Sequence, residues 1–306
     1  MRAEILLSYY HGEQYIREQL QSILDQTFSG EICIRIRNDG TDAVKLEQIL
    51  TGFQFPANRN VIVDSGENLG PQRSFLKLIQ QAGEADYYFY ADQDDVWLAD
   101  KVQRAVEAME GMKQECRLYC GNYTITDSNL NVICESGVEL QDTTFRFLRA
   151  LLFNTFPGCT MGMNAALMKV LKKLNLENCM MHDGYTFATV LAVGAVYYDP
   201  VPCILHRIHQ DNVVGYGSKK IVPWKWLQEK AALLIHREAY DLAEFANRLW
   251  EETDGNPEHF KADVCLLKDY RKSRKNTWKL LTHPDLKHKL DRCGLSIYCK
   301  IWFRLF

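Results

Sequence analysis

Three carboxylates fall within four residues at Asp92-Gln93-Asp94-Asp95, directly after the apolar run Tyr87-Tyr88-Phe89-Tyr90-Ala91. Carboxylates this close repel one another, so the segment needs a counter-charge. A divalent cation is the economical one, because carboxylate oxygens suit hard Mg2+ or Mn2+ and a phosphate can complete the coordination shell. The plainer alternative is that Asp95 caps the helix containing Val102 and Val106. A second cluster, Met180-Met181-His182-Asp183-Gly184-Tyr185, opens a helical stretch, where Asp183 can serve simply as an N-cap with His182 packed beside it. A third crowds His206, Arg207, His209 and Asn212 into the segment from Leu205 to Gly215.

These clusters need elements to position them. Ile5-Leu6-Leu7 suits a buried strand, and Ile16, Leu20, Ile23 and Leu24 recur at helical spacing. Ile32, Ile34 and Ile36 alternate along a second strand ending at Asn38-Asp39-Gly40, after which Thr41-Asp42 can cap a helix over Val44 to Leu50. Val61 to Val63 form a third strand, Pro71 opens a helix through Phe75, Leu78 and Ile79, and Tyr87 to Ala91 form a fourth strand. Alternating strands and helices imply a parallel sheet, whose ligands sit beyond the carboxyl ends of the strands. The loops at that edge are Tyr9 to Gly12, Asn38 to Gly40, Ser65 to Gly70 and Asp92 to Asp95. After Gly111 the pattern becomes mixed: strands at Leu118 to Ile125, Asn131 to Cys134 and Cys159 to Met163, and a helix over Phe145 to Phe153. A helix from Asp183 to Ala192 follows, then strands near Ala195 to Tyr198 and Cys203 to Leu205. Beyond Gly215 the periodicity is helical, broken at Gly255, Pro257, Pro284 and Gly294, which places a boundary near residue 216.

Composition narrows the function classes. With 306 residues, 47% hydrophobic and 25% charged, the chain is neither mostly disordered nor collagen-like. Its net charge of −3 gives no global argument for a nucleic-acid partner. The balance is uneven: 18 basic and 12 acidic residues lie from Ser218 onward, against 18 and 27 before it. Ten cysteines scattered from Cys33 to Cys299 fit a reducing cytosol better than a disulfide framework, and Cys116/Cys120 has no second pair at zinc-finger spacing. The opening MRAEILLSYY lacks a signal-peptide apolar region, and Phe187 to Leu205 is interrupted by Gly194, Asp199, Pro200 and Pro202, so no spanning helix is expected. In the tail, Arg271, Lys272, Arg274, Lys275, Lys279, Lys287, Lys289 and Arg292 lead into Ser296 to Phe306. If helical, that end sets Ile297, Ile301, Trp302, Leu305 and Phe306 against Lys300 and Arg304. Such a segment suits anionic lipid or, equally, a helix packed within the chain or against a second copy in a homodimer. The expected setting is cytoplasmic, with peripheral contact on the inner face of the membrane.

Taken jointly, the motifs resemble the family-2 glycosyltransferases of GT-A fold, and within them the bacterial rhamnosyltransferase-like branch, over about residues 3 to 216. Leu7-Ser8-Tyr9-Tyr10-His11-Gly12-Glu13-Gln14-Tyr15 is similar to the family's opening strand and turn, with His11 for the usual Asn. Asn38-Asp39-Gly40-Thr41-Asp42 resembles its D-D-G-S motif, with Asn38 for the first Asp. Asn68-Leu69-Gly70 with Arg73 resembles its N-x-G loop, and Asp92-Gln93-Asp94-Asp95-Val96-Trp97 with Asp100-Lys101 a D-Q-D-D-x-W stretch. His182-Asp183 is similar to the H-D or E-D pair, and His206-Arg207-Ile208-His209 through Gly215 to a Y-R-x-H-x-x-N-V-V-G segment with His206 for Tyr. Pro157-Gly158-Cys159-Thr160-Met161-Gly162 resembles an acceptor-side segment.

The resemblance implies a mixed, mainly parallel α/β sheet flanked by helices. Its catalytic domain would span 1–216, with a nucleotide-sugar half at about 1–111 and an acceptor half at about 112–216, followed by a helical basic region at 217–306. Asp39 would accept the imide N–H of uracil or thymine, which favours a UDP- or dTDP-sugar. Tyr10 would stack on the base, and Arg73 and Arg207 would pair with phosphate. Ser8, Asn68, Gly70, Gln93 and Asp95 complete the donor side, with Asp95 orienting the sugar. Asp92 and Asp94 would hold Mg2+ or Mn2+, with His209 as a further ligand or diphosphate contact. Trp97, Cys159, Thr160 and His182 would face the acceptor, a glycan or lipid-linked glycan. Asp183 would be the general base of an inverting transfer of a sugar such as rhamnose. Two other readings are a sugar-1-phosphate nucleotidyltransferase, whose glycine-rich N-terminal phosphate loop is absent, and a non-catalytic nucleotide-sugar-binding assembly protein, which would not need Asp183.

Overall fold

The computed structural model describes residues 1–138, 145–152, 156–174, 181–209, 241–253, 260–286, 298 and 301–302. The first half winds as expected: β1 (Arg2–Tyr9), α1 (Ile16–Leu24), β2 (Glu31–Asp39), α2 (Ala43–Leu50), β3 (Arg59–Gly66), α3 (Gly70–Gln81) and β4 (Tyr87–Ala91). β2 pairs parallel with β3 and β1, and β1 parallel with β4. Ile16, Leu20, Ile23 and Leu24 of α1 are buried, as their spacing requires. Asp42 caps α2 by accepting from Val44 N at 3.0 Å. All five residues of β4 are buried, which fits its place inside the sheet.

The second half adds β5 (Val96–Trp97), α4 (Lys101–Glu110), β6 (Cys116–Thr126), β7 (Val132–Cys134), α5 (Phe147–Leu152), β8 (Met161–Asn164), α6 (Ala165–Leu174), α7 (His182–Val193) and β9 (Gly194–Arg207). The sheet runs β3-β2-β1-β4-β8-β6-β9-β5, with β7 on β6. It is mixed: β8 is antiparallel to β4 and β6, whereas β6 and β9 are parallel. The two strands expected between Ala195 and Leu205 are one strand, whose register against β6 shifts near Gly121 and Asn122, opposite Asp199 to Pro202. The strand expected from Cys159 begins instead at Met161, because Gly158–Thr160 make a 3-10 turn. Helix α6 was not among the elements expected from sequence, although Leu167, Met168, Leu171 and Leu174 line its buried face at helical spacing.

Helices α8 (Leu242–Glu252), α9 (Lys261–Asp269) and α10 (Arg274–Leu281) follow. Leu242, Phe245, Leu249, Val264, Leu267, Leu280 and Ile301 join the same apolar core as the sheet. The expected boundary near residue 216, the motif residues beyond His209, and Lys287, Lys289, Arg292, Lys300 and Arg304 lie outside the described residues. Among those described, no helix is long and apolar enough to cross a membrane.

Candidate active site

The carboxyl edge of the parallel strands carries a connected polar network. Ser8 Oγ, near the end of β1, lies 2.6 Å from Ser74 Oγ in α3. Buried Arg37 of β2 donates to Ser74 Oγ (3.2 Å), to the Glu67 carbonyl (3.0 Å) and to Asp39. Asp39, also buried, accepts from Leu69 N (2.8 Å) and Gly70 N (3.0 Å), which fixes the 68–70 loop against β2. Gly70 adopts φ +78°, a conformation that favours glycine, and Asn68 Oδ1 accepts its N–H at 2.9 Å. Arg73 projects from the first turn of α3 and is exposed. At the tip of β1, Tyr10 is 46% exposed, and its backbone N–H and C=O are both held at 2.8 Å by the Gln93 amide.

The acidic tip after β4 is closed over by the end of β9. The two-residue strand β5 pairs antiparallel with β9, Val96 opposite Leu205 and Trp97 opposite Ile204, which carries His206 to His209 across the carboxylates. His209 Nε2 lies 2.7 Å from Asp94 Oδ2, and His206 Nδ1 lies 2.9 Å from Asp95 Oδ1. The Cys159 thiol is buried beside the Asp95 carboxylate. Burial, then the charges of Asp95 and Asp94, push the Asp92 carboxyl up to about 7. Burial and Asp95 also raise Asp94. Burial opposes the charge on Asp95 as well, but His206 outweighs it and holds Asp95 below the ordinary carboxylate range. His206 is raised to about 9: burial works against its charge, and Asp95, Asp92 and Asp94 overcome it. One ligand atom each from Asp95, Cys159 and His206 lie within 4.8 Å of one another. Two carboxyls held above their ordinary range beside hard oxygen and imidazole donors are a set that a divalent cation fits.

The start of α7 reaches the same end of the sheet. His182 stacks on Phe75 of α3 with centroids 3.8 Å apart and meets Tyr90, two residues before Asp92, edge-on at 4.6 Å. A Cβ on Gly158, next to Cys159, would stand 2.2 Å from His182 Nε2. Asp183, the second residue of α7, is buried, and its Oδ1 accepts from Gly184 N at 2.7 Å. Met181, not Asp183, is the N-cap, and Asp95 likewise does not cap α4, whose N-cap is Asp100. Through Tyr90, Gly158 and Cys159, the turn bearing Asp183 is continuous with the acidic tip.

Two consequences can be measured. His182 is 3% exposed with neither ring nitrogen hydrogen-bonded, and burial lowers its pKa from 6.5 to about 4. A folded pKa below the unfolded one means stability present above about 6.5 and lost as pH falls toward about 4. Between pH of about 7.5 and about 5 this residue costs about 2 kcal/mol, and His182→Phe should remove that part of the slope in urea denaturation at the two pH values. Gly158→Ala should cost about 1–3 kcal/mol by overpacking, because the ring it meets is pinned by Phe75, and transfer should slow with it. An unchanged melt would show that the ring can yield.

Several expected contacts lie elsewhere than the motifs implied. Trp97 is buried with the Lys101 ammonium 3.9 Å from its ring, Thr160 is buried and donates to the Pro157 carbonyl, and Cys159 is buried against the carboxylates. All three side chains pack into the interior, Trp97 from the edge strand β5 and Cys159 and Thr160 from the 3-10 turn. Arg207, expected on phosphate, directs Nε to the Asp94 carbonyl (2.8 Å), Nη1 to the Ser128 carbonyl (2.6 Å) and Nη2 to Glu18, so it braces the tip. Sequence reasoning missed Arg37 and Glu18. Tyr15, part of the opening motif, has a place in the site as well: its ring stacks on His209 at 4.9 Å and lies 4.6 Å from the Arg207 guanidinium.

The sequence profile described as "Glycosyl transferase family 2" matches residues 4–174, more than half of the chain. The dTDP-rhamnosyl transferase RfbG of Shigella flexneri is 25% identical over 76% of this chain and 84% of its own. The crystal structure of S. aureus TarS 1-349 superposes with a TM-score of 0.57 at 15% identity, covering 100% of this chain and 81% of that one. Its complex with UDP-GlcNAc does so with 0.54, at 15% identity, covering 100% and 79%. The chain therefore has the GT-A fold, is a glycosyltransferase, and belongs to glycosyl transferase family 2.

Proposed function

We propose that this chain catalyses inverting, cation-assisted transfer of a sugar such as rhamnose from a dTDP- or UDP-sugar to a hydroxyl of a cell-surface polysaccharide or lipid-linked glycan. The observation that carries this reading is that His182, next to Asp183 in α7, packs on Tyr90, two residues before the acidic tip that His206 and His209 close over. The likeness to a dTDP-rhamnosyl transferase supports the donor class.

Asp39 keeps lone pairs beyond those taken by Arg37, Leu69 and Gly70, and accepts the imide N–H of uracil or thymine. Adenine and guanine do not present that donor in the same way. Exposed Tyr10 stacks on the base, and Arg73 pairs with the diphosphate. Asp183 takes the proton of the acceptor hydroxyl as its oxygen bonds to the anomeric carbon, while the bond to the diphosphate breaks on the opposite face. Asp92, Asp94 and His209 would hold Mg2+ or Mn2+, which when bound supplies positive charge to the departing diphosphate. Residues 1–216 would form the catalytic unit, with the helical region after it.

A donor panel tests this reading. UDP- and dTDP-sugars should release nucleotide diphosphate with Mn2+ and a lipid-linked acceptor, and ADP- and GDP-sugars should not. Binding of purine nucleotides alone would overturn the role of Asp39.

A further inference from the structure

The two described residues of the expected apolar face at the chain's end, Ile301 and Trp302, are not buried alike. Ile301 is fully buried in the common core, and the Tyr298 hydroxyl donates to the Leu286 carbonyl at 2.6 Å, so this end is docked on the protein. Trp302, expected on the same face as Ile301, is instead 43% exposed. It meets Trp278 of α10 edge to face, centroids 6.4 Å apart, and Trp278 is itself 59% exposed. The Arg274 guanidinium lies 5.4 Å from the Trp302 ring and donates to the Trp302 carbonyl at 3.0 Å. Lys275 and Lys279 are exposed on the same helix, which carries no acidic residue. The neighbouring acids are engaged: Asp269 pairs with Lys272 at 2.5 Å and Asp241 with Arg271 at 2.5 Å. Arg274, Lys275 and Lys279 have no acidic partner among the described residues.

We propose that this composite patch, Trp278 and Trp302 ringed by Arg274, Lys275 and Lys279, docks the enzyme on an anionic phospholipid surface. Indole rings settle at the headgroup level, with an apolar body and a polar N–H, and the cations meet the lipid phosphates. Tryptophan and arginine are common to both kinds of surface, but lysine is depleted at protein-partner interfaces, so the exposed Lys275 and Lys279 favour the lipid. The inference rests on the proposed lipid-linked acceptor only for its purpose, because binding is measurable without any sugar donor.

The test is flotation of the full chain with vesicles of phosphatidylcholine, with and without phosphatidylglycerol. Wild type should float with the mixed vesicles and be released by high salt. Replacing Lys275 and Lys279 by Ser should weaken partitioning about fivefold per cation. Trp278→Ala combined with Trp302→Ala should weaken it about tenfold or more while the thermal melt stays in place, since both side chains are exposed. Wild type that ignores anionic vesicles, or variants that float as well as wild type, would overturn the proposal. So would Trp variants that only turn a concentration-dependent dimer into a monomer, which would make the face a contact between copies. Vesicle binding by a protein that transfers no sugar would remove the proposed function and leave the docking standing. Transfer to a soluble acceptor without vesicle binding would do the reverse.

Discussion

Asp183→Asn should lower kcat about a thousandfold, equivalent to about 4 kcal/mol of lost transition-state stabilisation, and leave nucleotide binding within about twofold of wild type. The amide keeps the shape and can still accept from Gly184 N, but it cannot take a proton from the acceptor hydroxyl. Single-turnover transfer paired with calorimetric titration of UDP or dTDP separates the two effects. Full transfer by the variant would assign the proton to another group. Equal loss of binding and rate would mean that Asp183 only shapes the pocket. The same comparison distinguishes an enzyme from a nucleotide-sugar-binding assembly protein, which would bind nucleotide alike in both forms and transfer no sugar in either.

The second large effect belongs to Asp94. Asp94→Ala should reduce kcat/KM about a thousandfold and weaken Mn2+ binding in the presence of UDP, read by the electron paramagnetic resonance signal of free Mn2+. Folding should not suffer in step. Burial and Asp95 hold the Asp94 carboxyl above its ordinary range, so its charge opposes the folded state at neutral pH, where the unfolded chain carries that charge more cheaply. In chelator, the more conservative Asp94→Asn should therefore melt no lower than wild type while sharing the loss of activity. A variant with intact Mn2+ binding would move the cation to the Asp95, Cys159 and His206 cluster.

Much of this was legible in the order of residues. Apolar residues at helical spacing in α1, alternation in β2 and the capping aspartate of α2 are local signals, and each became the element it indicated. The acidic tip was equally plain, because three clustered carboxylates after a buried strand are costly unless positive charge offsets them. Helix α6 had the right periodicity and a capping residue, Asn164, whose Oδ1 accepts from Leu167 N at 3.1 Å, but the same Asn164 ends β8, so no linker marks where strand gives way to helix.

The chain order determined the alternation of strand and helix from β1 to β4 and hence which loops gather at their carboxyl edge, since apolar spacing and caps are local signals; that β4 pairs with β1, with β2 and β3 between them in sequence, was decided by the packed sheet. Only the tertiary structure decided what closes over the tip. The pairing of β5 with β9 spans more than a hundred residues, and it turned Arg207 from an expected phosphate ligand into a brace on Asp94 and Glu18. The same distinction separates Ile301 from Trp302: side chains that adjoin in sequence are sorted into core and surface by whichever distant helix packs against them.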